Sequence, residues 1–196
     1  MKALLALILL ASCATPNHFE HARAQSFFVQ TKDGHGSGVA INEYCVLTVA
    51  HVLSSETVIL VDDNGHTTPA VTRAVDAVHD LGVACAPTKL NAPVVRLAKT
   101  MPLRYAPVFA IGNPLTYTQI LTEGRYQMNG AVSAPIAPGS SGGGVFNADG
   151  ELIGLSDTIA LYNITEGVLT FAHLQGIVEV GDIAAFLQAN QISYSS

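Results

Sequence analysis

Pro135-Ile136-Ala137-Pro138-Gly139-Ser140-Ser141-Gly142-Gly143-Gly144-Val145 is the stretch on which the reading of this chain turns. It contains Gly-x-Ser-Gly-Gly, centred on Ser141. Glycine without a Cβ lets the backbone enter conformations closed to other residues. A turn built this way can aim consecutive backbone N–H groups at one point, which stabilises a developing oxyanion. The donors implied are the amides of Gly139 and Ser141, with the Ser141 hydroxyl beside them, placed to attack a carbonyl. Glycine-rich turns are common, so the loop alone reads equally well as a plain connection. A nucleophilic serine also needs a base, and an acid that orients the base.

Moving outward from the loop, the pattern from Ser26 onward is β. Phe27-Phe28-Val29-Gln30, Gly38-Val39-Ala40-Ile41, Tyr44 to Thr48, Val58 to Val61 and Ala70 to Val75 read as strands joined by tight Gly- and Asn-bearing turns. Such spacing signals antiparallel hairpins. Thr48-Val49-Ala50-His51 ends an apolar strand and enters a short helical turn, Ala50 to Leu53. An imidazole there is held rigidly yet exposed, which sets His51 apart from the other six histidines. His79-Asp80-Leu81-Gly82-Val83-Ala84 brings an aspartate to the mouth of an apolar strand, where burial without hydrogen-bond partners is costly. The functional reading of Asp80 is acceptance of a hydrogen bond from His51; the plain reading is a turn aspartate before a strand. Residues 87–93 read as a linker. Strands resume at Val94 to Leu97, Val108 to Ile111, Tyr117 to Leu121, Gln127 to Val132, Glu151 to Leu155 and Gly167 to Ala172. Helical apolar spacing over Ile177 to Gln188 predicts a C-terminal helix.

The chain has 196 residues, 49% hydrophobic and 12% charged, which suits one globular unit or two small subdomains sharing a core. Its formal charge is −6 with no Lys/Arg cluster, which argues against nucleic acid as a partner. Met1-Lys2 and the apolar run Ala3 to Leu10 form a targeting segment too short to span a bilayer. Leu10-Ala11-Ser12-Cys13 resembles the lipobox of bacterial lipoproteins, in which the cysteine is lipidated and becomes the mature N-terminus. The other reading is a signal peptide cut after Ala22-Arg23-Ala24, across a long polar gap. The lipoprotein reading makes residues 1–13 a signal segment, 14–25 a flexible tether, and the protein a membrane-anchored resident of the bacterial cell envelope.

His51, Asp80 and Ser141, in that order, together resemble the trypsin-like serine proteases. Thr48-Val49-Ala50-His51 is similar to the family's Thr-Ala-Ala-His, and Asp80-Leu81-Gly82-Val83 to its aspartate-bearing strand. Gly139-Ser140-Ser141-Gly142-Gly143 is similar to its Gly-x-Ser-Gly-Gly. The branch most resembled is the bacterial HtrA/Deg type, through Gly36-Ser37-Gly38-Val39, Ala110-Ile111-Gly112-Asn113-Pro114, Pro138, Asp149 to Gly154, and Phe171-Ala172. No PDZ segment is recognisable after these motifs. The family's fold is all-β, two antiparallel six-stranded β-barrels with the active site between them. That implies a protease domain over 26–196, with barrels at about 26–88 and 93–175 and a C-terminal helix at about 177–189.

The resemblance implies a serine endopeptidase acting on polypeptides. His51 is the general base, Asp80 its orienting acid, Ser141 the nucleophile, and Gly139 and Ser141 the oxyanion donors. It assigns the pocket wall to Pro135 and Ile136, its floor to Ala172, and the substrate-pairing edge to Thr158 and Ile159. None is charged, so cleavage after small or aliphatic residues is expected. Asp157 and His173 complicate this: the first faces either a basic substrate group or solvent, the second either the pocket or the opposite side of its strand. Ser140 stands where digestive relatives carry an aspartate that pairs with a freed N-terminus, so activation of that kind is not expected. Cys45 and Cys85 fall on neighbouring strands of the family fold, as a cross-strand disulfide or two buried thiols. There is no CxxC and no His/Cys cluster, so neither metal nor cofactor is expected. The competing reading is a catalytically silent trypsin-like module whose cleft binds a peptide or envelope partner. An esterase of the α/β-hydrolase type fits poorly, because its motifs run Ser, Asp, His and sit among helices.

Overall fold

Burial alternates along the strands as sheets curling around a core require. In β4 (Thr57–Val61), Val58 and Leu60 are buried while Thr57 is exposed. The structure, a computed structural model, describes residues 18–165 and 168–196, the side chains of 158–173 excepted. Residues 1–13, with the lipidation candidate Cys13, lie outside the described residues.

The first barrel comprises β1 (Ser26–Gln30), β2 (His35–Ala40), β3 (Cys45–Thr48), β4, β5 (Thr67–Asp76) and β6 (Leu81–Cys85). It closes in the order β1-β2-β3-β6-β5-β4. The second comprises β7 (Pro107–Gly112), β8 (Ile120–Met128), β9 (Ala131–Val132), β10 (Gly144–Asn147), β11 (Leu152–Thr165) and β12 (Val168–Glu179). It closes as β10-β11-β12-β9-β8-β7, and all the pairings are antiparallel. The all-β, two-barrel fold with a C-terminal helix is thus as expected. Each ring closes on itself, so every strand is paired on both sides over its part of the ring. Phe27, Leu47, Leu60 and Leu81 fill the first core; Val108, Val132, Val145 and Ile153 the second. Cys45 and Cys85 stand opposite each other in the β3–β6 register and are bonded as a disulfide, with Cα atoms 4.1 Å apart.

Several local expectations change. Residues His18–Ala24, expected as tether, form helix α1. Ala22 is buried, Phe19 packs edge-on against Phe109 at 4.8 Å, and Arg23 pairs with Asp63 of the first barrel and reaches Gln119 of the second at 3.4 Å. Val94 to Leu97 forms no ladder: Arg96 and Leu97 make single bridges to Ser195 and Leu152, because this crossing segment shares its amides and carbonyls among three different neighbours. Tyr117 is in a turn, and β8 begins only at Ile120, after Leu115 and Gln119 take positive φ. Gly124-Arg125-Tyr126, between the two expected strands Tyr117 to Leu121 and Gln127 to Val132, lies within β8. That strand turns at Asn129-Gly130, both with φ > 0, the two-residue hairpin such a pair favours. The C-terminal helix α2 is Val180–Ala189, not Ile177 onward. Ile177 and Val178 stay in β12, opposite Ser156 and Leu155, where β-branched side chains suit the ladder.

Candidate active site

His51 and Asp80 meet because β3 and β6 are antiparallel neighbours, with Thr48 opposite Gly82. The end of β3 and the start of β6 therefore share one rim of the barrel. A single 3-10 turn, Ala50–Val52, carries His51 over that rim, and Asp80 immediately precedes β6. Asp80 accepts from the His51 backbone amide on Oδ1 at 2.9 Å and lies 2.7 Å from His51 Nδ1 through Oδ2. This double contact holds both ring and backbone, and keeps Asp80 at a φ of 52°, unusual for a residue with a Cβ. His51 is half exposed, Asp80 largely shielded. Burial pushes the Asp80 pKa up, but hydrogen bonds from the His51 amide and ring outweigh it, and the net shift is below the ordinary carboxyl value.

The Ser141 loop lies against the first barrel. Ser37 donates its amide to Ser141 O at 2.8 Å and its hydroxyl to Gly139 O at 2.8 Å. Gly36 marks how closely these segments approach: a Cβ there would collide with Val52, the residue after His51, and stand 3.1 Å from Ser141 O. Ala137 O accepts from Ser140 N at 2.9 Å, with Pro138 and Gly139 between them and Gly139 at φ +97°. That is the form of a type II turn, which favours Pro then Gly in the two central positions. Leu115 N donates to Pro138 O at 2.7 Å. Since the peptide is trans and planar, its Gly139 N–H points the opposite way from Leu115. Neither the Gly139 nor the Ser141 amide has a protein acceptor among the described residues.

Other expected site residues are distributed as follows. Pro135 and Ile136 line an apolar cavity of about 200 Å³ with Ile111, Pro114, Ile120 and the buried Ser140. Thr158 and Ile159 lie in β11, paired with Gly176 and Gln175 of β12. Pairing with β10 ends at Leu155 and two backbone bonds tie Ser156 to Gly142 and Gly143, so only beyond Ser156 is β11 held along one edge among the described residues. Ala172 lies in β12; the side chains of Thr158, Ile159, Ala172 and His173 are outside the described residues. A larger cavity, about 820 Å³, flanks β4 and β5 on the first barrel, and none of His51, Asp80 or Ser141 lines it.

Asp157 corrects an expectation. Half-buried, it lies beside the dyad: one side-chain N or O atom from each of His51, Asp80 and Asp157 lies within 4.8 Å of the others. Burial, then the hydrogen bond and charge of Asp80, push the Asp157 carboxyl up to about 6. Among the described residues these three are the group of His, Cys, Asp and Glu side chains that could face one cation, though Nδ1 and Asp80 already engage each other. His35 was also missed. It stacks on Phe28 at 4.7 Å and contacts Asn113 O at 3.1 Å, beneath the Gly139 turn. Neither role is legible locally: Asp157, inside β11, and His35, beside Gly36, take their partners from the fold.

A family model described as a trypsin-like peptidase domain matches residues 36–155. The mitochondrial serine protease HTRA2 of Drosophila willistoni is 31% identical over 160 residues, covering 71% of this chain and 36% of that protein. The putative serine protease HhoA of Synechocystis is 32% identical over 166 residues, covering 72% and 42%. This chain thus spans well under half the length of these curated relatives. Among solved structures, a serine endoprotease from Yersinia pestis superposes with a TM-score of 0.73 at 26% identity, over 88% of this chain and 65% of that one. An inactive form of Rv3671c from M. tuberculosis superposes at 0.76, over 89% and 90%; at 18% identity it supports the fold alone.

Proposed function

The chain belongs to the trypsin-like peptidase domain family, with HtrA-type relatives, and from that premise we propose that it is a serine endopeptidase working through His51, Asp80 and Ser141. The observation that carries this reading is the double hydrogen bond from His51 to Asp80, 2.9 Å from the amide and 2.7 Å at the ring. It presents Nδ1 to the carboxylate and leaves Nε2 as the proton acceptor.

In acylation the Ser141 Oγ forms a bond to the scissile carbonyl carbon as its proton passes to His51 Nε2. The carbonyl π electrons move onto oxygen, which the Gly139 and Ser141 amides receive. Collapse expels the amine, which takes the proton from His51. Water then repeats the sequence on the acyl-enzyme. Each oxyanion donor is worth roughly 3–4 kcal/mol in the transition state. Substrate binds extended along the open edge of β11 near Thr158 and Ile159. Pro135 and Ile136 favour small or aliphatic residues before the cut. The N-terminal lipobox reading, with lipid on Cys13, places the domain at the cell-envelope membrane.

The test is fluorophosphonate labelling of the purified protein, with the modified residue located by mass spectrometry. The expected result is one adduct on Ser141, absent from Ser141→Ala. An unlabelled wild-type protein that still binds peptides would replace this reading with the silent binding module. Membrane fractionation of Cys13→Ala checks the anchor: release into the soluble fraction is expected, and unchanged membrane association would remove it.

A further inference from the structure

A catalytic aspartate that accepts two hydrogen bonds from one histidine still has unused lone pairs. Among the described residues, the side chain reaching Asp80 from outside His51 is that of Asp157. A carboxylate cannot donate to a carboxylate, so two ionised acids at this distance repel. One proton held between them turns repulsion into a charge-assisted hydrogen bond, the strongest class available to neutral-plus-anion pairs.

We propose that Asp157 is a positioning residue for the catalytic dyad: its carboxyl shares one proton with Asp80, fixing the carboxylate behind His51, and releases that proton to leave a second negative charge beside the base. This rests on the triad reading and extends it to a residue in β11, the strand that also carries the proposed substrate edge.

The fold makes this arrangement from two separate barrels. Asp80 enters β6 of the first, and Asp157 follows Ser156 of the second. Ser156 is pinned by two bonds to the nucleophile loop, Gly142 N to Ser156 O at 2.7 Å and Ser156 N to Gly143 O at 2.8 Å. Asp157 is thus held in register with Ser141 as well as with Asp80. Among the described residues, the titratable groups facing it are Asp80, from the rim before β6, and His51, from the 3-10 turn. No Lys or Arg is among them, so no fixed cation holds both acids ionised. The elevation of the Asp157 carboxyl to about 6 agrees with this geometry, its causes being burial first and Asp80 second.

Below about pH 6 the proton sits between the acids, and one negative charge backs His51. As pH rises through that value, Asp157 ionises and a second charge backs it. A second anion stabilises the imidazolium, so it raises the pH at which His51 becomes a free base and strengthens that base once free. The three groups therefore titrate as one coupled system.

The experiment has two arms. Rates of fluorophosphonate labelling at Ser141 are followed from about pH 5 to about pH 9 in wild type, Asp157→Asn and Asp157→Ser. Both substitutions keep a donor to Asp80 and remove the titrating charge. The expected result is an acid limb moved down by roughly 0.5–1 pH unit, with a plateau about 2–5-fold lower. The second arm uses the Ser141→Ala protein with carbon-13-labelled aspartate carboxyls. One carboxyl is expected to titrate near pH 6 and to vanish in the Asp157→Asn version. Superimposable pH profiles in all three proteins, or no aspartate titrating above the ordinary range, would overturn the proposal. Failure of the triad reading looks different, since wild type itself would then not label at Ser141.

Discussion

Gly139 is held where most residues cannot go. Its φ is +97°, and a Cβ would lie 2.5 Å from both Asn113 O and His35 Nε2. Gly139→Ala therefore adds the strain of a left-handed residue, roughly 1–2 kcal/mol, to a collision with backbone. The turn can relieve both by rotating the Pro138–Gly139 peptide, which breaks the Leu115 contact and swings the amide out of the oxyanion position. Expected is a fall of about 10²–10³ in peptidase rate, the cost of one lost donor. Labelling kinetics beside a thermal melt check this; a wild-type rate would mean the Gly139 amide takes no part. At this scale His51, Asp80 and Ser141 were recognisable as candidates because each sits in a local sequence pattern. His35, Leu115 and Asp157 were not. Leu115 contributes only its amide, and the other two draw their roles from neighbours more than seventy positions away in sequence, such as Asn113 for His35 and Asp80 for Asp157.

At the scale of elements, alternation and turn residues located most strands, and the misses have common causes. Ends were misplaced where a ladder overrode periodicity: Ile177 and Val178 fit a helical stripe, yet β11 claims their backbone. The Asn129-Gly130 hairpin was a readable signal passed over, and α1 was hidden in a polar stretch whose only apolar anchors are Phe19 and Ala22. Spacing alone left the cysteines undecided; pairing in register on β3 and β6 decides them. The bond joins residues 40 positions apart and ties the strand ending near His51 to the one starting after Asp80. On a chain-entropy account, closing such a loop stabilises the fold by about 4 kcal/mol. Cys45→Ala with Cys85→Ala is expected to lower Tm by roughly 8–16 °C. The dyad sits at the opposite ends of these strands, so the Ser141 labelling rate well below Tm should stay within about twofold of wild type. A melt unchanged by the double substitution, or by reductant, would show that the disulfide does not form.

At the scale of the whole molecule, the turn that carries Ser141 is hydrogen-bonded across the barrel junction to β2 of the first barrel. The connection between them converges on Ser37, which is buried in β2. Its hydroxyl donates to Gly139 O and accepts from Asn113 N at 2.8 Å and Asn113 Nδ2 at 3.0 Å. Its amide donates to Ser141 O, and its carbonyl accepts from Thr48 Oγ1 at 2.7 Å. One residue of the first barrel thus touches the strand leading to His51, the residue after β7, and both Gly139 and Ser141 of the second barrel's turn. Ser37→Ala strips the Asn113 backbone amide of its acceptor inside a dry interface, which costs about 1–3 kcal/mol. For a domain of this size that is a Tm fall of roughly 2–12 °C. A merely structural serine would produce that fall and nothing more. If the network sets the turn, labelling of Ser141 at a temperature where the variant is fully folded should also drop, by about tenfold or more, since small misplacement of reacting groups is expensive. Thr31→Ala serves as the comparison: it removes an exposed hydroxyl bond to Gly34 O that is no part of the Ser37 network, and should leave the rate unchanged. A Ser37→Ala protein that melts earlier yet labels at the wild-type rate would mean that the turn is oriented without the Ser37 hydroxyl, through the backbone bonds of residue 37, Gly142, Gly143 and Ser156.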